Sequence, residues 1–103
     1  MIPLIEEKRQ ELESLCKRFG VKRLELFGSA ADGTFEQGRS DLDFLVEFGE
    51  IADGAHADHY FGLLFALEAL FARSVDLVMT EAVENPYFLA DVDRSRIVLY
   101  AAA

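Results

Sequence analysis

The chain has 103 residues, 51% of them hydrophobic, which fits one compact domain over 1–103 with a true core rather than a disordered tail. Nineteen acidic residues against 10 basic ones give a formal net charge of −9. That balance argues against a surface built to track a nucleic-acid backbone, and no apolar run approaches the ~20 residues that span a bilayer.

Residues Pro3 to Phe19 predict one amphipathic helix. Ile5, Leu12, Leu15, Cys16 and Phe19 lie near one stripe, and Glu6, Glu7, Glu11 and Glu13 read as a solvated face. Pro3 suits a first turn and Gly20 a C-terminal stop. Charges this close to the start do not read as a secretory signal, so a cytoplasmic setting is expected. Cys16 is the only cysteine, which excludes an internal disulfide, and its place on the stripe makes it a core residue.

Val21 to Phe27 predicts a strand with Leu24 and Leu26 on one face. A tight turn from Gly28 to about Gly33 should open a short helix, and Thr34 to Arg39 reads as a loop. Asp41 to Phe48 is the clearest strand. Leu42, Phe44, Val46 and Phe48 share its core face; Asp41, Asp43, Leu45 and Glu47 share the other. Gly49 to Gly54 reads as a linker, with Asp53 as a candidate cap.

His56 to Phe71 predicts a helix that is apolar around much of its circumference. His56 and His59 have a spacing that could share a metal, but without a third ligand they read as exposed polar residues. Phe61 and Phe65 are helical neighbours beside the main stripe and leave room for a partner interface. Ser74 to Thr80 predicts a strand in which Val75, Leu77 and Met79 alternate with Asp76, Val78 and Thr80. Asn85-Pro86 is a turn signal. Arg96 to Tyr100 fits a short last strand or the end of a helix. The expected fold is α/β, a small mixed sheet with packed helices.

The chemistry concentrates around one constellation. Leu26-Phe27-Gly28-Ser29 closes one strand, and after eleven intervening residues Asp41-Leu42-Asp43 opens the next. Two aspartates one residue apart share a strand face, repel each other and invite a cation. Hard oxygen ligands suit Mg²⁺, which also takes substrate phosphates. Backbone N–H groups of the Gly28-Ser29 turn suit the same phosphates. If the strand of Asp76 lies beside that of Asp43, three carboxylates converge, a number that can hold two ions for in-line displacement at phosphorus. Asp41, Asp43 and Asp76 are therefore the candidate catalytic and metal-binding residues. Gly28, Ser29 and Arg39 are the candidate nucleotide contacts.

Those residues resemble the minimal nucleotidyltransferase (MNT) group of the polymerase-beta-like superfamily. The shared signature is an apolar strand, Gly-Ser, a spacer, and Asp-apolar-Asp-apolar; here Leu-Phe-Gly-Ser is followed by Ser-Asp-Leu-Asp-Phe-Leu-Val-Glu-Phe. Val75-Asp76-Leu77-Val78 matches the family's third acid, and Asn85-Pro86-Tyr87 and Val98-Leu99-Tyr100 are also family-like. The resemblance implies the polymerase-beta-like nucleotidyltransferase fold, Mg²⁺ as cofactor and ATP as co-substrate. It also implies a HEPN-type toxin as partner and an antitoxin role, in which AMP passes from ATP to a tyrosine of that toxin.

The family's run Gly-Ser-x-Ala-Arg-Gly departs here to Gly28-Ser29-Ala30-Ala31-Asp32-Gly33. An acid thus stands where a basic residue would meet the triphosphate, with Arg39 or a partner residue left to compensate. Asp32 keeps two other readings open: a non-catalytic module that neutralises its partner by occlusion, and a nucleotide-binding subunit whose partner completes the site. Homo- or hetero-oligomers are compatible with all three, and no direct contact with nucleic acid is expected.

Overall fold

The computed structural model describes residues 3–28, 41–80 and 96–102. Its elements are helices α1 (Pro3–Glu7) and α2 (Arg9–Arg18), strands β1 (Val21–Phe27) and β2 (Leu42–Phe48), helix α3 (His56–Phe71), and strands β3 (Val75–Met79) and β4 (Ile97–Ala101). The four strands form one mixed sheet in the order β3-β2-β1-β4. β1 is antiparallel to both β2 and β4, whereas β2 and β3 are parallel. A parallel pair needs a long crossover, and α3 supplies it.

The alternation in β1 and β2 decides which face is covered. Leu24, Leu26, Leu42, Phe44 and Val46 are fully buried, together with Ile5, Leu12 and Cys16 from the first helices and Leu63 and Leu67 from α3. The Phe44 and Phe71 rings stack at 6.1 Å, joining β2 to the end of α3. Each such aromatic or aliphatic side chain contributes about 1.5–3 kcal/mol by leaving water. The opposite face carries Arg23, Glu25 and Phe27 beside Asp43, Leu45 and Glu47, as the register requires. There Phe27, Leu45 and Val78 make only a small second cluster.

Several expectations need correction. The predicted first helix is two, because Lys8 leaves helical geometry and its N–H bonds back to the Ile5 carbonyl in a tighter turn. The apolar stripe survives that break, since Ile5, Leu12 and Cys16 remain buried. Asp53 does not cap α3: the N-cap is Ala55, with no side-chain cap bond. His59 is not a free polar residue; its Nδ1 lies 2.6 Å from the Phe19 carbonyl and ties α3 to the end of α2. Residues 97–101 form a strand rather than a helix end.

Other readings hold. Gly20 ends the first helical segment with φ +72°, where a side chain would be strained. β1 and α3 span the residues read from the sequence. The Gly28–Gly33 turn beyond Gly28, the 34–39 loop and the Asn85-Pro86 turn lie outside the described residues.

Candidate active site

One cross-strand row organises the open face. Phe27 of β1 pairs with Asp43 of β2, and Asp43 pairs with Asp76 of β3. The strand period of two sends both carboxyl groups to the side away from the helices, because Leu42, Phe44, Val75 and Leu77 take the core side. Parallel pairing in register leaves the two acids as direct neighbours, and their side chains share a hydrogen bond.

Such a bond requires a proton between two groups that would otherwise both be anions. Burial pushes the Asp43 carboxyl up to about 6, and the hydrogen bond with Asp76 and the charges of Asp76 and Asp41 push the same way. Gly28 permits this packing. Its φ is +72°, and a β-carbon there would overlap Oδ2 of Asp43. Only glycine satisfies both the backbone angle and the space.

β3 is held at several points. The Leu42 N–H donates to the Ser74 carbonyl at 3.3 Å, and the Val75 N–H donates to Oε2 of Glu68 at 3.2 Å. The Tyr60 hydroxyl donates to the Leu77 carbonyl at 2.5 Å, and the Thr80 hydroxyl donates to the Val46 carbonyl at 3.1 Å. Position 76 is thereby fixed from both sides. A cavity of about 350 Å³ opens here, lined by Phe27, Asp43, Tyr60, Leu64, Asp76 and Val78 among others.

Of the residues read from the sequence, Asp43, Asp76 and Gly28 come together. Asp41 stands exposed just before β2 and reaches Asp43 through its charge. Among the described residues, no three His, Cys, Asp or Glu side chains gather closely enough to hold an ion. Ser29, Asp32 and Arg39 lie outside the described residues.

The donor set nevertheless fits a hard divalent cation. Two carboxylates that share a proton at close quarters will exchange it for a cation, and phosphate oxygens or Asp41 can complete the shell.

Glu25 is a charged residue of this face that sequence reasoning missed. It is 2% exposed, yet held between two arginines. Arg23 Nε donates to Oε1 at 2.6 Å; Arg96 donates through Nε to Oε2 and through Nη2 to Oε1 at 2.8 Å. The Arg96 bond, with support from Arg23, holds the Glu25 carboxyl below its usual range despite burial. The available signal was an acid inside Leu24-Glu25-Leu26, on the face shared with Asp43.

Comparison with known proteins gives a consistent picture. A family model described as a nucleotidyltransferase domain matches residues 8–99. The protein adenylyltransferase MntA of Thermococcus cleftensis is 37% identical over 73 residues, covering 71% of this chain and 70% of that protein. A solved structure provisionally described as a minimal nucleotidyltransferase is 34% identical, with TM-score 0.73 over 93% of this chain and 95% of that one. A Shewanella oneidensis structure, described as a tri-AMPylated HEPN toxin in complex with MNT antitoxin, has TM-score 0.63 at 17% identity. That match covers 94% of this chain and 72% of that chain and indicates a shared fold.

Proposed function

The chain belongs to the nucleotidyltransferase domain family, and from that membership we propose that it is a Mg²⁺-dependent protein adenylyltransferase of antitoxin type. It moves AMP from ATP to a tyrosine hydroxyl of a HEPN-type toxin. The observation that carries this reading is the Asp43–Asp76 pair, aligned in register and sharing a proton on the open face of the sheet. The names of the MntA relative and of the HEPN–MNT complex support the choice of protein acceptor and partner.

In this reading Asp43 and Asp76 hold Mg²⁺, with Asp41 as the third carboxylate. The bound metal lowers the pKa of the attacking hydroxyl and neutralises charge on the departing pyrophosphate. The side chains must release their shared proton for this, so the site loads more readily as pH rises past about 6. Gly28 keeps the end of β1 free of a side chain at the Asp43 carboxyl. Ser29 and Arg39 remain the proposed phosphate contacts of the following turn. Among the described residues no helix is long and apolar enough to cross a membrane. A cytoplasmic setting fits ATP as co-substrate, and residues 1–103 act as one domain.

Neutralisation by occlusion is the second reading. Phe61 and Phe65 favour it: they are 50% and 61% exposed and stack at 6.1 Å, a ready apolar surface on α3. One experiment separates the two. A HEPN-type toxin encoded beside this chain is incubated with the chain, Mg²⁺ and ATP, and its mass and RNase activity are followed. Adenylyl groups on a tyrosine, with neutralisation lost in Asp43→Asn, support transfer. Full neutralisation by Asp43→Asn with no mass change supports occlusion.

A further inference from the structure

We propose that Arg96, held in place by Glu25, is a nucleotide-binding residue that takes the terminal phosphates of ATP. This rests on the nucleotidyltransferase reading given above. The argument starts from register. Leu26 pairs with Ile97, so one further step along the antiparallel ladder sets Arg96 opposite Phe27. Phe27, Asp43 and Asp76 already form one row. The row therefore runs Arg96, Phe27, Asp43, Asp76 across all four strands.

Two strand spacings put the Arg96 backbone roughly 10 Å from that of Asp43. The side chain does not extend away from the acids. Glu25, on β1, draws the guanidinium back over the strand next to Asp43. A cation is thus braced one strand from the proposed metal site and on the same open face.

The charge count supports a ligand for it. Two guanidinium groups share one carboxylate, which leaves one net positive charge on a chain of net charge −9. Both arginines are partly open to solvent, with side chains 37% exposed for Arg96 and 47% for Arg23. Guanidinium against phosphate is a strong, directional pairing, and a buried carboxylate that fixes the fork lowers the entropy lost on binding. Arg23 anchors Oε1 of Glu25 and so keeps the brace from turning.

The need for such a cation is visible in the sequence. Asp32 stands in the Gly-Ser turn where a basic residue would meet the triphosphate. Arg96 supplies positive charge from the other side of the row. Glu25 is a positioning residue, since it acts through Arg96.

The test is equilibrium binding of ATP and of AMP in the presence of Mg²⁺, for the full chain, Arg96→Gln, and Arg96→Gln combined with Glu25→Gln. The double variant leaves no buried carboxylate short of a partner, so it keeps the measurement available if the single variant fails to fold. At least a tenfold loss of ATP affinity with little change for AMP, in whichever variant is folded, supports the proposal. Glu25→Gln alone should weaken ATP binding less than Arg96→Gln, and Arg96→Lys should restore part of it. Wild-type ATP affinity in a folded Arg96→Gln variant, or equal losses for ATP and AMP, overturns the proposal and leaves the nucleotidyltransferase reading standing if Asp43→Asn still abolishes binding. No Mg²⁺-dependent ATP binding by the unmodified chain overturns both.

Discussion

Gly28 leaves room for the Asp43 carboxyl: a β-carbon at position 28 would overlap Oδ2 of Asp43. The end of one strand is thus shaped around the acid of the next. Gly28→Ala should cost about 1–3 kcal/mol, from the left-handed backbone angle and the displaced carboxyl. It should also lower Mg²⁺-dependent nucleotide affinity in the fraction that stays folded. Urea unfolding and a nucleotide titration on the same preparation check the two effects separately.

The Asp43 carboxyl gives the metal-free protein a pH dependence of defined sign. Its folded pKa is raised to about 6, so the folded state holds a proton that the unfolded chain has lost. The stabilising contribution is complete below the unfolded carboxyl value of about 4 and is lost as pH rises through 6. At pH 8 without metal, Asp43→Asn should therefore be more stable than the parent, by an amount on the order of 1 kcal/mol once solvent screening is allowed for. With Mg²⁺ added, the parent should gain stability and the variant should not. Melting curves with and without Mg²⁺ at pH 5 and pH 8 read both effects.

Glu25 should behave with the opposite sign. Its pKa is lowered, first by the bond from Arg96. The stability it contributes is present above the usual carboxylate range and is lost as pH falls through its lowered folded value. Glu25→Ala should cost about 3 kcal/mol, because it leaves two guanidinium groups without their shared anion. Acid unfolding of the variant should show a flatter pH dependence than that of the parent.

Cys16 should be inert until the chain unfolds. The thiol is fully buried, and burial, followed by the charge of Glu13, pushes its pKa up to about 12. The thiolate is the nucleophile, so iodoacetamide should not label native protein at pH 8 on the scale of hours. Labelling in urea should follow the unfolding curve. Rapid labelling of native protein would mean that α2 opens locally.

Most of the fold was legible because its period signals are strong. Leu42-Asp43-Phe44-Leu45-Val46 alternates without interruption, and the structure buries the residues read as core. The pairing of Asp43 with Asp76 was legible only as a condition, since strand order is decided by long-range packing and no local pattern states it. Lys8 broke a helix that the stripe alone made continuous. His59 read as exposed because its partner, the Phe19 carbonyl, is 40 residues away. Glu25 escaped notice for the same reason: Arg96, which makes its burial tolerable, lies 71 residues further on. Long-range polar partners leave little trace in a sequence, whereas apolar periodicity leaves a strong one.

The most direct measurement is the transfer of label from α-phosphate-labelled ATP to a HEPN-type partner, with Mg²⁺, by the unmodified chain, Asp43→Asn and Asp76→Asn. The Asp43–Asp76 account predicts Mg²⁺-dependent labelling of the partner by the unmodified chain and at least a hundredfold slower labelling by either variant, on the scale of losing one electrostatic group from a transfer site. Labelling that persists at the unmodified rate in both folded variants, or that goes to RNA and not to protein, would contradict it.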